Sequence, residues 1–220
     1  MPIPTVGPAK RVRADGVSTR TLILKAARQR LCASGYAGLN VRDIARDAGV
    51  NHALINYHFQ GKQQLVLAVL DEANQTLLQR QAEMYASASS ASAKWQQARD
   101  FYEQDLASGF VHLLMELMGA SFTDKELRAG FKPRLLAWLK LVEAGVADFI
   151  ERSGLALPVS AQAIAAWISW FWLGMEAGMT LGIEESEGHQ REALDALALL
   201  LRRIETTPAA PRPVKRRRAP

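Results

Sequence analysis

Apolar residues recur every three or four positions along most of this chain, and no stretch alternates as a strand would. The pattern predicts an all-α protein of about nine helices. Leu22, Ile23, Ala26, Ala27, Arg30 and Leu31 mark one face of a first helix. It is capped by Ser18 or Thr19, runs to about Ser34 and ends at Gly35. Residues 40–59 then read as two short helices around a tight turn. Val41, Ile44, Ala45 and Ala48 form one apolar face, with Asn40 as cap and Asp43 placed nearly as in a capping box. Gly49 supplies the left-handed residue that closes this helix, and Val50 plugs the corner. His52 to His58 makes a second, polar-faced helix with Leu54 and Ile55 available for the core. After Phe59 and a Gln60-Gly61 turn, Lys62 opens a fourth helix with Leu65, Val66, Val69 and Leu70 inside, extending to about residue 85.

A small residue, three spaces, a glycine, an apolar residue and then a short exposed helix is the spacing of a helix-turn-helix. Such a helix can enter a major groove, which assigns DNA contacts to Asn51, His52, Asn56 and Tyr57. Asn suits adenine, and Tyr suits phosphate. Lys62, at a helix start where backbone N–H groups also point outward, suits phosphate too.

Beyond residue 78 the same periodicity continues. Ala86 to Lys94 is a loop or a weak helix, and Trp95 to Gly119 is helical with a break near Ser108-Gly109. Ser121 to Gly130 reads as a polar turn, Lys132 to Arg152 as an amphipathic helix, and Gly154 to Pro158 as a turn before a helix capped by Ser160. Ile183 to Gln190 reads as a polar loop, and Arg191 to Ile204 as a final helix. Residues 163–183 are almost wholly apolar, and Glu176 is their one charge. A single span with an acid inside it is awkward in lipid, so the segment is read as a buried helix. Gly174, Gly178 and Gly182 give it a small-residue ridge for close packing, within the chain or between subunits.

Charge refines this picture. The net charge is +5, and the tail 206–220 alone carries Arg212, Lys215, Arg216, Arg217 and Arg218 with no acid. Residues 1–16 add Lys10, Arg11 and Arg13 against Asp15, so both ends are basic and the bulk after residue 78 is acidic. Both ends are expected to be disordered, and either could add affinity for phosphate or be a solvated tail. The single cysteine, Cys32, allows no intrachain disulfide or cysteine-built zinc site, and is expected in the core. An apolar signal-peptide core is lacking, which points to the cytoplasm. No phosphate loop, nucleophile elbow or HExxH motif is present, so no catalytic residue, metal or cofactor is assigned.

Residues 17–77 resemble the DNA-binding domain of TetR-family transcriptional regulators. The resemblance rests on Ala26-Ala27, Gly35-Tyr36, Val41-Arg42-Asp43-Ile44-Ala45, Ala48-Gly49-Val50, Tyr57-His58-Phe59, Lys62 and Leu65. Asn40 replaces a frequent Thr at the cap, Asn56 a common aromatic of the recognition helix, and Leu31 a common Phe. The resemblance implies a three-helix DNA-binding domain over 17–77, with its motif at 40–59, and adds Arg42 to the DNA contacts. It implies a helical ligand-sensing and dimerisation domain over 78–205. It further implies a homodimer on a palindromic operator, usually as a repressor, responding to a small-molecule effector and not bound to membrane.

Candidate effector contacts are Trp95, Phe110, His112, Met115, Glu116, Trp170 and Met175. His112 and Glu116, one turn apart, could face a cavity or pair on the surface. Candidate dimer contacts are Trp167, Gly174, Gly178, Gly182, Leu197 and Leu201. The alternative is a helical protein-interaction or membrane-anchored module in which the hairpin is only structural.

Overall fold

A computed structural model of the chain describes residues 18–154 and 157–206. The expected arm at 1–16, residues 207–220 of the expected tail, and Leu155 and Ala156 of the expected turn lie outside the described residues. The described residues form ten helices and no strand: α1 Thr19–Ser34, α2 Val41–Asp47, α3 Ala53–Phe59, α4 Lys62–Ala86, α5 Ala91–Ala107, α6 Phe110–Ser121, α7 Lys125–Ser153, α8 Ala161–Thr180, α9 Glu185–Gly188 and α10 Gln190–Thr206. The extra helix relative to expectation is α9. It lies in the polar segment read as a loop, where a capping box between Glu184 and Glu187 supports a single turn. The chain divides into two compact units at Val69/Leu70, within α4.

The first unit is built by local chemistry. Ser18 rather than Thr19 caps α1, its hydroxyl accepting from the Thr21 N–H at 3.1 Å. Asn40 Oδ1 accepts from the Arg42 N–H at 2.8 Å and starts α2, while Asp43 turns to Arg46 at 2.8 Å. Gly49 takes φ 63°, and the Val50 N–H returns to Ala45 O at 2.9 Å to close the turn. Ile23, Leu24, Ala27, Ile44 and Ile55 pack together beneath these helices with almost no exposure. Two expectations fail here. Leu54 and Cys32 are exposed, because each falls beside rather than on the inward stripe of its helix.

The second unit holds α5 to α10 and the rest of α4. Lys94 is buried and donates to Met84 O at 2.6 Å, Tyr85 O at 2.9 Å and Ser87 O at 2.7 Å, so an ammonium closes the C-terminus of α4. Gly109, at φ 74°, makes the break between α5 and α6. Helix α7 begins at Lys125, inside the segment read as a turn, because Asp124 caps it by accepting from Leu127 N–H at 2.9 Å. Pro133 therefore lies inside the helix instead of near its start. Gly145 lets α7 approach α4 closely: a Cβ there would lie 2.3 Å from the Tyr85 ring. One core cluster joins Trp95, Tyr102, Val111, Met115, Leu173, Met175, Leu194 and Ala198, and a second gathers Val142, Val146 and Ala165. No helix among the described residues is long and apolar enough to cross a membrane.

Candidate nucleic-acid interface and enclosed cavity

The turn positions α3 so that Ile55 and Phe59 hold it to the core while its other face is free of packing duties. Tyr57 is 80% exposed, a large cost in apolar surface for a residue that braces nothing. Among the described residues its ring meets that of its neighbour His58 edge-on, at 5.1 Å between centroids. His52 and Asn56 are also exposed. Asn51 is exposed but has a structural task as well, since its Oδ1 accepts from the Ala53 N–H at 2.9 Å and begins α3.

Arg42, Arg46, Asn51 and His52 line one open concavity together with Ala45 and Val50. Arg46 was not among the sequence candidates. The signal was available, because it stands one turn after Arg42 on the same helix. Its charge is shared with Asp43 at 2.8 Å and Asp47 at 3.8 Å. Asp47 in turn binds Arg30 at 2.5 Å; that hydrogen bond lowers the carboxyl below its usual range and raises the guanidinium. The pair ties α1 to α2 beside the turn. Lys62 is half-buried. Its Nζ donates to Tyr36 O at 2.6 Å and sits 4.1 Å from the Tyr36 ring centroid, so this ammonium anchors the start of α4 to the end of α1.

A separate cavity of about 80 Å³ lies inside the second unit. At the roughly 30 Å³ that a water takes in the liquid, that is room for about three waters. Its wall comes from α4 to α8 and includes Leu77, Gln81, Tyr85, Phe101, Tyr102, Asp105, Phe110, Arg134, Trp138, Trp172 and Glu176. Only Phe110 of the seven sequence candidates lines it. Trp95 and Met175 belong to the neighbouring core cluster, where Trp95 Nε1 donates to Leu194 O at 3.0 Å, and Met115 is buried in the same cluster. Glu116 is half-buried, and His112 and Trp170 are exposed. Helical spacing identified the apolar residues but not which of them left space between them.

Charge in the cavity is mostly paired. Arg80 binds Asp105, and Arg134 grips both carboxylate oxygens of Asp71 at 2.6 Å each. Burial raises the Asp105 carboxyl although Arg80 opposes it. Burial, with Asp105 nearby, pushes Glu176 up to about 8. Burial likewise pushes Tyr85 up to about 12, and raises Tyr102 with help from Glu176. Trp138 Nε1 donates to Gln81 Oε1 at 2.9 Å, and the Tyr102 and Trp172 rings lie 5.1 Å apart.

The candidate dimer residues divide into two groups. Trp167 and Gly174 lie on an exposed face of α8, with Trp170 and Phe171 beside them. Gly178 is half-buried, and Gly182, at φ 82°, lies in the turn after α8. A methyl on Gly174 would meet nothing, whereas one on Gly178 would lie 3.6 Å from Ile183 Cδ1 and 3.8 Å from Gln190 Nε2, so only part of the glycine ridge packs within the described chain. Leu197 and Leu201 point to the core cluster instead, while Leu199 and Leu200 are the exposed leucines of α10. The shift is one of helical phase: Leu194 and Ala198 face inward and carry Leu197 and Leu201 with them.

Comparison with known proteins places the first unit. Residues 23–69 match the family described as bacterial regulatory proteins, tetR family. The HTH-type transcriptional regulator TtgR of Pseudomonas putida is 36% identical over 67 residues, which are 30% of this chain and 32% of that protein. The match thus spans about a third of the curated relative's length. Among solved structures, the transcriptional regulator FadR of Bacillus subtilis, in complex with stearoyl-CoA, has a TM-score of 0.67 at 17% identity over 82% of this chain and 96% of that one. A structure from Saccharomonospora viridis in complex with choline, described as a transcriptional regulator, has a TM-score of 0.64 at 19% identity over 81% of this chain and 94% of that one. At these identities the structures speak for a shared fold across both units. Residues 23–69, with the turn and exposed helix described above, are thus similar to the DNA-binding segment of the tetR family of bacterial regulatory proteins.

Proposed function

We propose that this protein is a sequence-specific DNA-binding transcriptional regulator, a repressor controlled by a small molecule that enters the cavity of the second unit. The observation that carries the reading is the outer face of α3, where Tyr57, Asn56 and His52 are exposed without serving the core. Such a face is costly unless a partner covers it, and its width fits a major groove. Arg42 and Arg46 on the adjoining concavity supply cations for phosphates. Lys62 contributes chiefly by fixing the start of α4, with its charge close to the same surface.

The reading includes a homodimer in the cytoplasm. Trp167 is 63% exposed and Trp170 58% exposed, on one face of α8 with Phe171 and Gly174. Leu199 and Leu200 add apolar surface on α10. A second copy covering these faces would present two recognition helices, about 34–36 Å apart, to a two-fold symmetric operator. The solved structures holding stearoyl-CoA and choline support a ligand site in proteins of this fold. Effector binding would act by favouring a state that fits DNA less well.

Selection of duplexes from a random pool by the purified chain tests this reading. The expected product is a palindrome with half-sites one helical turn apart. Repeating the selection with Asn56→Ala and with His52→Ala should relax the preference at particular positions, each by about 1–3 kcal/mol. Selection that yields no shared sequence would reject the proposal.

A further inference from the structure

If the cavity is the effector site, its side chains also limit the effector's chemistry. Two of its three charged wall residues are already neutralised, Asp105 by Arg80 and Arg134 by Asp71. Glu176 differs. Among the described residues no cation or hydrogen-bond donor reaches its carboxyl group, and its nearest charge is another acid, Asp105. Around it stand the aromatic rings of Tyr102, Trp138 and Trp172. An anion would find no unpaired cation here. A carboxylate beside aromatic walls is the combination that binds organic cations, through charge on one side and ring faces on the other. We infer that the cavity takes a small organic cation, its charge beside Glu176 and its body against Tyr102, Trp138 and Trp172.

This assignment links binding to a proton. In the empty protein burial holds Glu176 near 8, so at neutral pH its carboxyl is mostly protonated. A cation favours the ionised form, and the proton leaves to solvent. Cation affinity therefore rises with pH until about 8 and then levels off. The other groups facing Glu176 do not mimic this. Tyr85 and Tyr102 are raised further above neutrality, and Asp105 and Arg134 are each held in an ion pair.

Isothermal titration calorimetry on the full chain, with choline and its soluble neutral isostere 3,3-dimethylbutan-1-ol, separates the possibilities. The cation is expected to bind at least about tenfold more tightly at pH 8, a difference of roughly 1.4 kcal/mol. Heats in two buffers at pH 7 should show release of nearly one proton. Glu176→Gln should remove that release and the cation preference, leave the neutral isostere within about twofold, and not lower the melting temperature. Equal binding of the two probes, a preference that survives Glu176→Gln, or no binding of either would overturn the inference. Cation binding controlled by Glu176 without any change in DNA affinity would keep this inference and remove the effector reading. Release of DNA by the neutral probe alone would do the reverse.

Discussion

Helices α3 and α8 each carry side chains that fold stability alone would not choose, yet they do so in opposite settings. On α3 a tyrosine and two other polar groups are held out to solvent by a helix of seven residues. On α8 a carboxyl lines the cavity, within a helix that is otherwise uncharged and rich in aromatic residues. One surface waits for a partner larger than itself, and the other can enclose only something small. The outer site costs apolar exposure and almost no electrostatic work. The inner site costs desolvation of an acid, which shows as the upward displacement of Glu176.

The strongest way to break the comparison is to remove the core under one helix only. Ile55 is fully buried, and Ile55→Ala should cost about 2–5 kcal/mol in the first unit and abolish DNA binding. All five tryptophans lie after residue 90, so the tryptophan fluorescence spectrum, excited where tyrosine does not absorb, follows the second unit alone. Retention of that spectrum is expected in the variant. Loss of both DNA binding and the spectrum would mean that the two sites share one folding unit.

A smaller effect sharpens the inner half. Glu176 titrates near 4.5 when unfolded and about 8 when folded, so the folded state holds the extra proton between those values. Its contribution to stability is complete below 4.5 and is lost as pH rises toward 8. Glu176→Gln should melt like the parent near pH 4 and be more stable at pH 8, by on the order of 1–3 kcal/mol. Parallel melting curves across that range would show that the carboxyl is solvated after all.

The two sites also differed in how far the amino-acid sequence revealed them. Ser18, Asn40 and Gly49 announce the ends of α1 and α2 within a few residues, since caps and left-handed turns are local chemistry. The outer face of α3 follows from the same spacing. The cavity does not, because its wall collects residues from five helices far apart in the chain. Glu176 stood out as the lone charge of its segment, but only packing shows that it shares a cavity wall with Tyr102 and Trp138. Periodicity places the start of the seventh helix at Lys132, whereas the cap at Asp124 begins α7 about two turns earlier, through a largely polar first stretch. The inward phase of Leu197 and Leu201 depends on where Trp95 and Leu194 lie, which periodicity on α10 alone does not determine.

The central claim is that the outer face of α3 exists to meet DNA, and Tyr57→Ala tests it most directly when melting temperature and affinity for the selected operator are measured on the same sample. The side chain is 80% exposed, so stability should change by less than about 0.5 kcal/mol, while operator affinity falls at least about tenfold. Unchanged affinity in a fully folded Tyr57→Ala protein would contradict the account.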